Sequence, residues 1–132
     1  MKFIIGGEFQ GKLKYALDIA NASLEEACDI SKEEYIKSKK IIYNLNLFIK
    51  NNLAEGKTQE EIEKIIYKLI NENLEIVIVS TEIGYGIVPM NKFDRSYREV
   101  TGRICCMIAQ KATEVHRVIC GVGTVIKGEG KN

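Results

Sequence analysis

The stretch Phe3-Ile4-Ile5-Gly6-Gly7-Glu8-Phe9-Gln10-Gly11-Lys12-Leu13 constrains this chain more than any other, because an apolar run breaks at two glycines and resumes at a Gly-Lys pair. The spacing Gly6-x-x-x-x-Gly11-Lys12 is that of a phosphate-binding loop, or P-loop. Glycines reach backbone angles closed to other residues, so the N–H groups of Gly6, Gly7, Glu8, Phe9, Gln10, Gly11, Lys12 and Leu13 can converge on a phosphate while Lys12 reaches its outer oxygens. Such a loop needs a strand before it and a helix after it. Phe3-Ile4-Ile5 supplies a short strand, and Lys12 to Ala20 carries apolar residues at helical spacing. Leu13 departs from the pattern: a Ser or Thr hydroxyl there would hold the magnesium ion that accompanies a nucleotide, and leucine offers a metal nothing. A Gly-Gly turn between a buried strand and an amphipathic helix is the purely structural alternative. The motif favours phosphate binding and leaves catalysis open.

A chain of 132 residues makes one domain, spanning 1–132, with a core that buries roughly 65–70% of the surface of the unfolded chain. Nineteen basic residues against eighteen acidic ones leave a net charge of +1 with no long Lys/Arg run, which argues against nucleic acid or a membrane surface as partner. No apolar stretch reaches the roughly 18 residues of a membrane span, and Met1-Lys2 leads straight into the first strand without a signal peptide, so the expected location is cytoplasmic. Cys28, Cys105, Cys106 and Cys120 show no paired zinc spacing and no Cys-x-x-Cys, and read as reduced structural thiols. The one histidine, His116, lies in an apolar strand candidate, where structural or exposed histidines are commoner than catalytic ones.

After the first helix, Ala27-Cys28-Asp29-Ile30 is a short apolar piece with one carboxylate near its end. Ser31-Lys32-Glu33-Glu34 spells a capping box, from which a helix is expected to run through Ile41, Leu45 and Leu53 to a stop near Gly56. Thr58-Gln59-Glu60-Glu61 spells a second, and Ile62, Ile65, Ile66, Leu69 and Ile70 then mark the cleanest amphipathic helix in the chain. Leu74 to Ser80 has the β-branched, continuously apolar composition of a central parallel strand. The segment from Thr81 to Pro89 leaves it as a glycine-containing loop, and loops at the carboxyl ends of parallel strands are where α/β proteins place ligands. Asp94 to Ala112 is helical in spacing, Glu114 to Cys120 is a strand, and a turn at Gly121-Val122-Gly123 leads to a short strand at Thr124 to Lys127. The alternation points to an α/β fold with a mainly parallel sheet flanked by helices.

Three pieces then fall together: Gly6-Gly7-x-x-x-Gly11-Lys12, Glu82-Ile83-Gly84-Tyr85-Gly86-Ile87-Val88-Pro89, and Arg95-Ser96-Tyr97-Arg98-Glu99-Val100-Thr101-Gly102-Arg103. Together they resemble the adenosylcobinamide kinase/adenosylcobinamide-phosphate guanylyltransferase family of cobalamin synthesis. The resemblance implies a P-loop nucleotide-binding fold, ATP or GTP with Mg2+ as cofactors, and a kinase acting on the aminopropanol hydroxyl of adenosylcobinamide, in a homo-oligomer. It implies a role for Lys12 and Glu82 in catalysis, Glu82 orienting the hydroxyl or a metal-bound water, and for Arg95, Arg98 and Arg103 in substrate or phosphate contacts. The family's guanylyl transfer passes through a histidine between the P-loop helix and the next strand, and the corresponding segment here has none, so that step is expected to be lost. The family's metal-binding aspartate, at a strand end before an apolar helix, corresponds either to Tyr43, before Leu45-Asn46-Leu47-Phe48, or to Asp29. A nucleotide-binding module without catalysis is the alternative reading.

Overall fold

Strand β1 (Lys2–Gly6) runs through the middle of the sheet in the computed structural model, which describes residues 1–83 and 91–128. It pairs in parallel with β4 (Val77–Thr81) on one side and with β5 (Glu114–Ile119) on the other. Strands β2 (Ala27–Asp29) and β3 (Ile41–Tyr43) extend the sheet beyond β4, and β6 (Val122–Lys127) returns antiparallel along β5, giving the order β2-β3-β4-β1-β5-β6. Central parallel strands are covered on both faces and so are apolar at successive positions. Phe3, Ile4, Val77, Ile78 and Val79 accordingly lie in the core.

Helix α1 (Lys12–Ala20) covers one face, where Ala16 packs with Ile4, Ile41, Val79 and Val118. The other face carries α2 (Leu45–Ala54), α3 (Gln59–Glu72) and α4 (Lys92–Lys111), whose Leu45, Ile49, Ile62, Ile66, Ile104 and Ile108 pack on Phe3, Ile42 and Ile78. The α/β architecture with a mainly parallel sheet between helices is as the alternation of patterns requires. Helix α3 starts where its capping box says: Thr58 Oγ1 accepts from Glu61 N at 3.2 Å, and Glu61 Oε1 accepts from Thr58 N at 3.0 Å.

The helix expected from Ser31 does not form. Asp29 Oδ1 takes both the Ser31 amide (3.0 Å) and the Ser31 hydroxyl (2.5 Å), so the oxygen that would cap a helix is spent as a donor to the carboxylate just before it. The chain turns back, Ile41-Ile42-Tyr43 inserts as β3 between β2 and β4, and the helix begins only at Leu45, behind Asn44 in a left-handed conformation (φ 61). Gly56, at φ 92, follows the end of that helix as expected. A second correction concerns the last hairpin. Its turn is Cys120-Gly121, both at positive φ (50 and 77), so β6 begins at Val122 rather than Thr124. A two-residue turn of this kind matches the twist of the strands it joins, and cysteine is an unusual residue to carry it.

Candidate functional site

Strand β1 ends against a wall. A Cβ on Gly6 would sit 2.5 Å from the Val118 carbonyl oxygen of β5, so the strand can stop here only with glycine. The chain then loops through Phe9, at φ 58 and 99% exposed, to Gly11 at φ 84, which precedes the first turn of α1. The β5–β6 turn braces this loop: Gln10 O accepts from Gly121 N at 2.7 Å, and Gln10 Oε1 accepts from Cys120 N at 2.6 Å. Nothing in the sequence marks that contact, which joins positions about 110 residues apart.

Lys12 is folded back on its own loop, its Nζ donating to Gly7 O at 2.6 Å. Burial pulls its pKa below the ordinary lysine value, and the Glu8 and Glu82 carboxylates oppose that shift. The loop borders a cavity of about 300 Å³ lined by Phe9, Lys12, Leu13, Tyr43, Asn44 and Ser80, among others. Lys12 thus sits at the carboxyl end of the central strands, within the electrostatic influence of Glu8 and Glu82.

Glu82 leaves β4 with its N–H donating to Gly6 O at 2.8 Å, so strand pairing itself sets it beside the loop. Its carboxylate is forked by Arg117: Nε to Oε1 is 3.0 Å and Nη2 to Oε2 is 3.2 Å. This partner comes from β5, on the far side of β1 from β4. Of the α4 arginines, Arg103 reaches Glu99 (3.9 Å) and Gln59 on α3 (3.4 Å), Arg95 is exposed and Arg98 is half-buried. Residues 84–90, the rest of the expected ligand loop, lie outside the described residues.

Asp29 ends β2 beside Tyr43 in β3, and both of its oxygens are occupied, Oδ1 by Ser31 and Oδ2 by Asn44 Nδ2 at 2.9 Å. Tyr43 and Asn44 line the loop cavity, and Asp29 stands behind them. No cluster of three or more His, Cys, Asp or Glu side chains suited to a metal ion occurs among the described residues. Asn46, 5% exposed, was not singled out from the sequence; its Oδ1 accepts from Thr81 N at 3.2 Å and pins the end of β4 next to Glu82.

His116 is buried and fully engaged, Nδ1 with Tyr15 Oη at 2.6 Å and Nε2 with Glu114 Oε1 at 2.8 Å. The Tyr15 bond ties α1 to β5. The His116 bond, helped by Lys2, holds the Glu114 carboxyl below its ordinary range. The four cysteines are unpaired; burial pushes the Cys28 and Cys105 thiols up to about 11, while Cys106 and Cys120 are exposed. Among the described residues, no helix is long and apolar enough to cross a membrane.

Comparison with known proteins agrees with the resemblance. Residues 20–126 match the family described as cobinamide kinase / cobinamide phosphate guanyltransferase, a stretch that leaves the loop at 6–12 outside. The bifunctional adenosylcobalamin biosynthesis protein CobU of Salmonella typhimurium is 36% identical over 73 residues, which cover 55% of this chain and 40% of that protein. Its namesake from Escherichia coli is 36% identical over 67 residues, covering 51% of this chain and 37% of that protein. The matched stretch thus spans about two fifths of the length of these relatives.

Proposed function

This chain belongs to the cobinamide kinase / cobinamide phosphate guanyltransferase family, and we propose that within it the chain acts as a nucleoside-triphosphate-dependent kinase of adenosylcobinamide. The observation that supports this reading is that strand pairing sets Glu82, whose N–H donates to Gly6 O at 2.8 Å, beside the loop that carries Lys12. The loop amides and the Lys12 ammonium hold the phosphates of ATP or GTP, Lys12 exchanging the Gly7 carbonyl for phosphate oxygen. The aminopropanol hydroxyl oxygen attacks the γ-phosphorus, the bond to the β–γ bridging oxygen breaks, and nucleoside diphosphate leaves. The hydroxyl proton passes to Glu82, whose oxygens each keep a lone pair beyond the one Arg117 uses. Phosphoryl transfer asks a protein mainly for positioning and charge stabilisation, which these groups supply. Arg95, Arg98 and Arg103 on α4 are the proposed substrate or phosphate contacts. No step is assigned to a magnesium ion.

Leu13, in the place of a metal-binding hydroxyl, supports a second reading, a nucleotide-binding module of cobalamin metabolism without turnover. Calorimetry with ATP and GTP, followed by an assay of phosphate transfer to adenosylcobinamide, separates the two. Kinase function predicts both binding and transfer, with binding lost in Lys12→Ala; binding without transfer selects the module, and no binding to the wild type rejects both.

A further inference from the structure

Arg117 belongs to no motif, yet it makes the two-pronged contact described above with Glu82, which strand pairing sets beside the loop. Glu82 is 12% exposed and Arg117 46%, so the carboxylate is largely shielded from water and the guanidinium approaches it from the solvent side. Two carboxylates, Glu8 and Glu82, act on the charge of Lys12, and the phosphate groups of a nucleotide must settle among all three. A shielded carboxylate without a partner would draw the Lys12 ammonium to itself and repel the incoming phosphates, both effects acting against binding. Lys12 bonds instead to the Gly7 carbonyl, and Glu82 is held by Arg117. The planar guanidinium suits this role, because two parallel hydrogen bonds fix a carboxylate in direction as well as in charge.

We propose that Arg117 is a positioning residue, which holds the Glu82 carboxylate away from Lys12 and cancels its charge so that the loop can accept a triphosphate. The proposal rests on the nucleotide-binding reading of the loop. Its test is a double-mutant cycle on the affinity for a non-hydrolysable ATP analogue, measured by calorimetry in wild type, Arg117→Leu, Glu82→Gln and the double variant. Arg117→Leu should weaken binding about tenfold in the wild-type background and less than about twofold in the Glu82→Gln background, because the charge to be cancelled is then gone. Arg117→Lys, which keeps the charge and loses the fork, should fall between and covers the case in which the leucine variant does not fold. Equal weakening in both backgrounds overturns the proposal, since Arg117 would then act on the ligand or the fold directly. An absence of analogue binding to the wild type overturns the underlying reading, and is distinct from binding with an additive cycle, which overturns the Arg117 role alone.

Discussion

At the scale of single residues, the roles proposed for Glu82 and the cysteines lead to measurable expectations. Glu82→Gln keeps size and hydrogen bonding and removes the charge that accepts a proton, so phosphorylation of adenosylcobinamide should fall by roughly 10²-fold or more. The lost ion pair to the half-exposed Arg117 should cost no more than about 1 kcal/mol, so the variant should fold and bind nucleotide. Unchanged turnover, or a fall in melting temperature that accounts for all lost activity, would return Glu82 to a structural part. The thiols divide differently. Cys28 and Cys105, with pKa values pushed up to about 11 by burial, hold almost no thiolate near neutrality, whereas Cys106 and Cys120 are exposed. A maleimide at about pH 7 should therefore modify Cys106 and Cys120 first, as peptide mass mapping would show; early labelling of Cys28 would contradict the packing.

At the scale of elements, what was legible in the sequence is what local pattern controls. Helix α3 was readable because its cap and its buried stripe are written within one segment, and Thr58→Ala should cost about 1 kcal/mol in a denaturant titration. The turn after β1 was readable because Gly11, at φ 84, serves a local backbone need, whereas the close approach of Val118 O to Gly6 comes from a strand far along the chain. The run from Ser31 to Asn44 was not, because three apolar residues at 41–43 fit a helix as well as a buried strand and only pairing with β2 and β4 decides between them. Arg117 escaped notice for the same reason: its partner is 35 residues away and lies across β1 in the sheet. The tie between α1 and β5 adds a pH dependence. Because the folded-state pKa of Glu114 is depressed from 4.5, its contribution is present above that value and is lost as pH falls through the lower folded one. The melting temperatures of wild type and Glu114→Gln should differ at neutral pH and converge in acid, and a constant gap across that range would show that the carboxylate charge is not what matters.

At the scale of the whole molecule, the sheet sorts its polar groups by depth, and this bears on the second activity in the family's name. The loop, Glu82 and the cavity gather at the carboxyl edge of β1 and β4, while His116 pairs with Ile4, two positions below the level at which Gly6 meets Val118. Two positions along a strand are about 6.6 Å. The ring also faces α1, where Tyr15 covers it, and the Tyr15 ring fills the space a Cβ on Gly123 would need, approaching that point to 2.1 Å. Transfer of GMP through a covalent intermediate requires a ring nitrogen with a free lone pair in line with the α-phosphorus. Both nitrogens of His116 are already bonded: freeing Nδ1 means undoing the tie to Tyr15 that seats α1 on the sheet, and freeing Nε2 means breaking the bond to Glu114 in its own strand. His116 is the only histidine in the chain, so incubation with GTP should leave the intact mass unchanged, with and without adenosylcobinamide phosphate. An added GMP mapped to His116 would show that one of these two bonds opens during turnover, and the loss of guanylyl transfer would then have to be withdrawn.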